Sequence, residues 1–119
     1  MAEIQQNFDA PDETRPIDKG KVEIVEVNGL QLMRATFEPG WTWTSCMKPV
    51  VGGEMCEVAH KWYVVSGQMA MKMKDGTEFL WKAGDVGVVP AGHDAWVVGD
   101  EPFVFIDFEG GETFAKPVA

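Results

Sequence analysis

Gly84-Asp85-Val86-Gly87-Val88-Val89-Pro90-Ala91-Gly92 is the stretch on which the reading of the fold turns. A Gly-Asp pair opens it, a valine-rich run of four follows, and Pro-Ala-Gly closes it. An apolar run that short, held between two turn signals, reads as a strand and is too brief for a helix. Pro90 has no N–H to give to a ladder, so the strand must stop there. Downstream, Ala95 to Val98 leads through a Gly99-Asp100 turn into Phe103 to Phe108. Upstream, Thr77 to Trp81 follows the Asp75-Gly76 turn. Before that turn Met69, Met71 and Met73 alternate with Ala70, Lys72 and Lys74, a period of two.

The same pattern runs back toward the N-terminus. A strand is expected over roughly Cys56 to Val65, ended by Ser66-Gly67, and another over Trp41 to Lys48, with Gly52-Gly53 between them. Val22 to Val27 and Leu30 to Phe37 flank Asn28-Gly29, the strongest short hairpin signal because both residues tolerate positive φ. No amphipathic helix is visible. Many short strands with Gly and Pro turns give an all-β sandwich or barrel. With 119 residues, 45% of them apolar and including 5 Trp and 7 Phe, the chain supports one domain and one core. Residues 1–20 are polar and carry Pro11 and Pro16; they read as an N-terminal arm, either frayed or an edge strand that crosses onto a partner subunit, and 21–119 as the single domain.

Ten basic against 19 acidic residues give a net charge of −9, which argues against nucleic acid or anionic membrane as a main partner. The first residues have neither a basic start nor an apolar stretch, and no run approaches the roughly 20 apolar residues of a membrane span. The expected location is the cytoplasm, where Cys46 and Cys56 stay reduced.

The Gly84 to Gly92 stretch resembles the second motif of the cupins: glycine, five residues, then proline, any residue, glycine. Pro39-Gly40 is similar to the opening of their first motif, and His60 to Gly67 to its close. The resemblance covers about Arg34 to Phe108 and implies a cupin jelly-roll barrel of two packed antiparallel sheets. It also implies a metal site of three histidines and a glutamate, and here the sequence departs. Counted from Gly40, Cys46 and Lys48 stand where two histidines belong; His60 stands at the glutamate and Ala95 at the last histidine.

The residues that remain suggest an altered site. Cys46, Cys56, His60 and His93 make a Cys/His set that suits zinc, or Fe(II) or copper less comfortably. The competing assignment makes the cysteines small core residues and the histidines loop caps. Two hairpin registers are open: one sets Cys46 opposite Cys56 and Lys48 opposite Glu54, the other sets Lys48 opposite His60. Trp43 and Trp62 are expected at a pocket mouth, with His60 and Lys48 as the candidate catalytic pair and Lys48 holding an anion. The functional expectation is a small-molecule-binding cupin, an enzyme on a small polar or anionic metabolite through this divalent metal. The alternatives are a metal-free binding module or an enzyme using His60 as acid and base. Open sheet edges, and the habit of cupins this small, lead to an expected homodimer.

Overall fold

A computed structural model describes residues 4–53, 56 and 59–109. Nine strands make up the described fold: β1 (Glu13–Ile17), β2 (Gly20–Val27), β3 (Leu30–Phe37), β4 (His60–Ser66), β5 (Gln68–Met73), β6 (Glu78–Lys82), β7 (Val86–Val89), β8 (His93–Val98) and β9 (Phe103–Asp107). They form two antiparallel sheets, one in the order β1-β2-β3-β9-β4-β7 and one in the order β6-β5-β8. This is the expected jelly-roll sandwich. The core lies between the sheets, with Val22, Met33, Phe37, Val64, Phe103 and Phe105 on the large sheet facing Met69 and Met71 on the small one.

Local chemistry explains the turns. Asn28 and Gly29 both take positive φ, 50° and 82°, which matches the twist of the flanking strands β2 and β3. Gly67 sits at φ 80° between β4 and β5, and a Cβ there would lie 2.3 Å from the carbonyl oxygen of Pro102. No other residue fits that position. Within the chain β1 of the N-terminal arm pairs with β2, and Arg34 on β3 binds Glu23 at 3.0 Å and Asp9 at 2.9 Å while lying over the ring of Phe8. The hydrogen bonds that the Arg34 guanidinium donates to the Glu23 carboxylate raise its pKa above the ordinary arginine value.

The expected strand from Trp41 to Lys48 does not form. Trp43–Met47 is a π-helical turn that runs directly into α1 (Lys48–Val51). Thr42 caps it: its side chain accepts from the Ser45 backbone N–H at 3.0 Å, a contact worth about 1 kcal/mol. Pro49 then falls in the first turn of α1, where its missing N–H costs nothing, and Gly52 at φ 78° ends the helix. Both hairpin registers expected for this region are therefore absent, and Glu54 lies outside the described residues. β4 also starts later than expected, at His60 rather than near Cys56. Instead of a strand, two single bridges cover the outer edge of β8, Thr42 with Trp96 and Cys56 with His93. Among the described residues no helix is long and apolar enough to cross a membrane.

Candidate metal centre

Three separate pieces of chain bring Cys56, His60 and His93 together. Cys56 is pinned to the start of β8: its N–H donates to the His93 carbonyl at 2.7 Å, and its own carbonyl accepts from Gly92 at 2.7 Å and His93 at 3.2 Å. Directly opposed residues in an antiparallel pair send their side chains to the same side, so the thiol and the His93 imidazole emerge together. His60 opens β4 opposite Val89 and points inward with Trp62. One ligand atom from each of Cys56, His60 and His93 lies within 4.8 Å of the others, and all three residues are buried. The Cys56 Sγ to His60 Nε2 distance is 3.9 Å.

Each imidazole is oriented from behind. His60 Nδ1 donates to Asp107 Oδ2, and the other Asp107 oxygen accepts from the Lys61 N–H at 3.1 Å and the Glu109 N–H at 3.0 Å. His93 Nδ1 donates to the Pro90 carbonyl at 2.9 Å. A carboxylate and a carbonyl can only accept, so both Nδ1 atoms carry the hydrogen, and in the neutral imidazoles Nε2 presents the lone pair. Asp107 is fully buried and escaped the sequence reading. The signal was present: alternation along Phe103 to Asp107 places this one acid on the same face as Phe103 and Phe105.

The walls are aromatic. Trp43 and Trp62 are buried in the cavity wall rather than standing at a mouth, and Trp62 stacks on His60 with ring centroids 5.4 Å apart. The cavity between them measures about 10 Å³, the space of a single ion or water. The buried indole N–H groups of Trp41, Trp43 and Trp62, all on residues lining this cavity, find no partner among the described residues. Ala95, at the position of the family's last histidine, also lines it, with His93 two residues earlier on the same strand face. Cys46 does not join the group, because the π-helical turn carries its Sγ to Asp18 at 3.7 Å. Lys48 opens α1 and is not among the residues lining the cavity.

No family model matches the chain. It is 33% identical over 117 residues to the oxalate decarboxylase OxdC of Bacillus subtilis (strain 168), an alignment covering 87% of this chain and 29% of that relative. The chain thus spans under a third of the curated relative's length. A solved structure of oxalate decarboxylase from Bacillus subtilis at pH 4.6 superposes with a TM-score of 0.57 at 30% identity, covering 87% of this chain and 28% of that one. Another structure of that enzyme concerns its Mn(II) centers, with a TM-score of 0.54 at 28% identity, covering 81% of this chain and 27% of that one. A protein of unknown function from Acinetobacter sp. ADP1 shares the fold along nearly its whole length, with a TM-score of 0.56 at 16% identity, covering 82% of this chain and 95% of that one. The two-sheet topology, the Gly84 to Gly92 motif on β7 and these likenesses agree: the chain is a cupin-domain protein.

Proposed function

We propose that this domain holds a divalent metal through Cys56, His60 and His93 and acts on a small molecule beside it. The observation that carries the reading is the convergence of one thiol and two rear-anchored imidazoles on a cavity of ion size. The donor set fits zinc best. Zinc–sulfur and zinc–nitrogen bonds of about 2.3 and 2.0–2.1 Å at a tetrahedral angle imply a sulfur–nitrogen separation of roughly 3.5 Å, near the 3.9 Å between Cys56 Sγ and His60 Nε2. A thiolate is softer than the oxygen-rich surroundings that manganese favours, so the Mn(II) of the Bacillus subtilis enzyme does not carry over. Among the described residues the group supplies three protein ligands, and three ligands with a fourth position open is the pattern of a catalytic rather than a structural zinc site.

A divalent metal bound here supplies Lewis acidity. The chain's own residues do the rest. Asp107 keeps the His60 proton on Nδ1, the Pro90 carbonyl does the same for His93, and the ring of Trp62 excludes bulk water from His60. Lys48 stands away from the cavity, so its placement gives no support to an anionic substrate.

A second reading is favoured by one observation: Cys56, His60 and Asp107 follow one another in the order thiol, imidazole, carboxylate, the arrangement of an activated nucleophile or a general base. Metal analysis of purified protein separates the two. The expected result is about one zinc per chain, lost in His60→Ala with the fold retained. Protein that stays metal-free after zinc loading and dialysis overturns the metal reading.

A further inference from the structure

We infer that the cleft between the open edges of the two sheets binds an uncharged, largely apolar molecule. β6 ends the small sheet and β7 ends the large one, so on this side the sandwich is not closed. The gap is a cleft of about 470 Å³, within the range of roughly 300–1,000 Å³ that small-molecule sites occupy. The pairing of Met71 with Phe79 and of Met69 with Trp81 puts Phe79 and Trp81 on the inward face of β6, beside Met71 and Met73 of β5. Val89 and the backbone at Gly87 form the opposite wall. The Trp81 ring packs directly on Gly87, where a Cβ would come within 2.8 Å of it and displace the indole.

The chemistry of the lining selects the ligand. Two thioethers, a phenyl ring and an indole face the cleft, and none of its lining residues is Lys or Arg. The charged residue that does line it is Asp75, so a dicarboxylate such as oxalate meets repulsion and no cation. A second copy of the chain is the lesser fit: Phe79 at the rim is 49% exposed, whereas Met71 at the floor is 1% exposed, a depth that a sheet face does not reach.

The cleft adjoins the candidate centre. Met71 lines both spaces, and Trp81 meets Trp62 edge to face at 5.2 Å, with Trp62 in turn stacked on His60. That the bound molecule is the substrate rests on the metal reading above; that the cleft binds it does not.

The test uses the full chain labelled with nitrogen-15, metal-free and zinc-loaded, titrated with 2-naphthol and separately with sodium oxalate. The readout is the Trp81 indole N–H resonance, assigned from Trp81→Phe. We expect 2-naphthol to shift it saturably in both preparations and oxalate to leave it in place. Phe79→Glu, at the exposed rim, should weaken 2-naphthol binding roughly tenfold or more at unchanged Tm, and Met73→Glu should weaken it likewise with a lowered Tm, since Met73 packs against the core. A Trp81 signal that 2-naphthol does not move, or a Kd unchanged in both variants, overturns the inference. So does displacement of 2-naphthol by oxalate, or a Phe79→Glu protein that light scattering shows converted from dimer to monomer. Zinc content measured on the same samples reports on the metal reading alone, so either idea can fail while the other stands.

Discussion

Asp107→Asn is the sharpest probe of the candidate centre, because it changes protons and almost no volume. The carboxylate accepts three hydrogen bonds, from His60 Nδ1 and from the backbone N–H groups of Lys61 and Glu109. An asparagine has one oxygen to offer. The two backbone donors share Oδ1, so they hold the amide oxygen on their side and turn the NH₂ group toward His60. Two donors then face each other unless His60 moves its hydrogen to Nε2. That move removes the lone pair now aimed at Cys56.

Loss of such a supporting partner typically lowers metal affinity 10- to 100-fold, or about 1.4–2.8 kcal/mol. Stability should fall less, since a charge-assisted hydrogen bond of about 1.5–3 kcal/mol is exchanged for a neutral one of about 0.5–1.5 kcal/mol. Asp107→Ala is the contrast, leaving a buried His60 donor unsatisfied at a further cost of about 1–3 kcal/mol. Zinc competition against a chromophoric chelator measures the affinity, and nitrogen-15 spectra of the imidazole report the tautomer. A folded Asp107→Asn protein that binds zinc like the parent, with the hydrogen still on Nδ1, would refute the reasoning.

Four further outcomes are expected. Cys56→Ser should lose zinc while Cys46→Ser keeps it, by metal analysis after dialysis, because only the first thiol belongs to the group. Gly67→Ala should destabilise the fold by roughly 2–5 kcal/mol in urea unfolding, from a left-handed backbone costing about 1–2 and an overpacked contact with Pro102 costing about 1–3. The Thr77 N–H holds the Asp75 carboxyl below its ordinary 3.8, so its support of the β5–β6 turn is present above that pH and lost as pH falls through the depressed value; in Asp75→Ala the Tm should vary less with pH in that acid range. Tyr63, Val65, Val86 and Val88 are exposed on the outer face of β4 and β7, and we expect a homodimer through that face, read by light scattering and dissociated by Val86→Glu.

Much of this fold was legible because its signals are local. Asn28-Gly29 fixes one hairpin through its own φ preferences, and Pro90 ends β7 because it lacks a donor. The inward aim of His60 and Trp62 follows from the two-residue period. The segment from Trp41 to Lys48 misled for an equally local reason. Trp-Thr-Trp-Thr alternates like a strand, but Thr42 and Ser45 are also spaced as a helix cap, and Pro49 follows where a first turn accepts it. Alternation and capping competed over the same residues. Capping won where, among the described residues, β8 gained two bridges at its outer edge, at Thr42 and Cys56, instead of a full ladder. Asp107 was missed for another reason: its role depends on His60, 47 positions away in sequence, and no local pattern reports that pairing.

The displaced ligands are explained together by geometry. In the family pattern the last histidine falls at Ala95; here the imidazole is at His93, on the same face of β8 but two residues toward its start. At about 3.3–3.4 Å per residue, that step moves the imidazole roughly 7 Å along the strand. The first motif's histidine positions, Cys46 and Lys48, have been drawn into the helical turns and no longer reach the cavity. Cys56 is bridged to His93 itself, and so it delivers a thiol at the end to which the imidazole has moved. His60 starts β4 at that same end and needs no displacement. The loss of the usual ligands and the gain of Cys56 are therefore one rearrangement, in which the donor set shifts along the barrel with β8 as its rail. Restoring histidine at Ala95 alone should not rebuild the family's site, because its partners at Cys46 and Lys48 have left that level of the barrel. Ala95→His should leave the stoichiometry at about one zinc per chain and Cys56 still required; an Ala95→His protein that keeps its zinc in the Cys56→Ser background would show that the older level is still available.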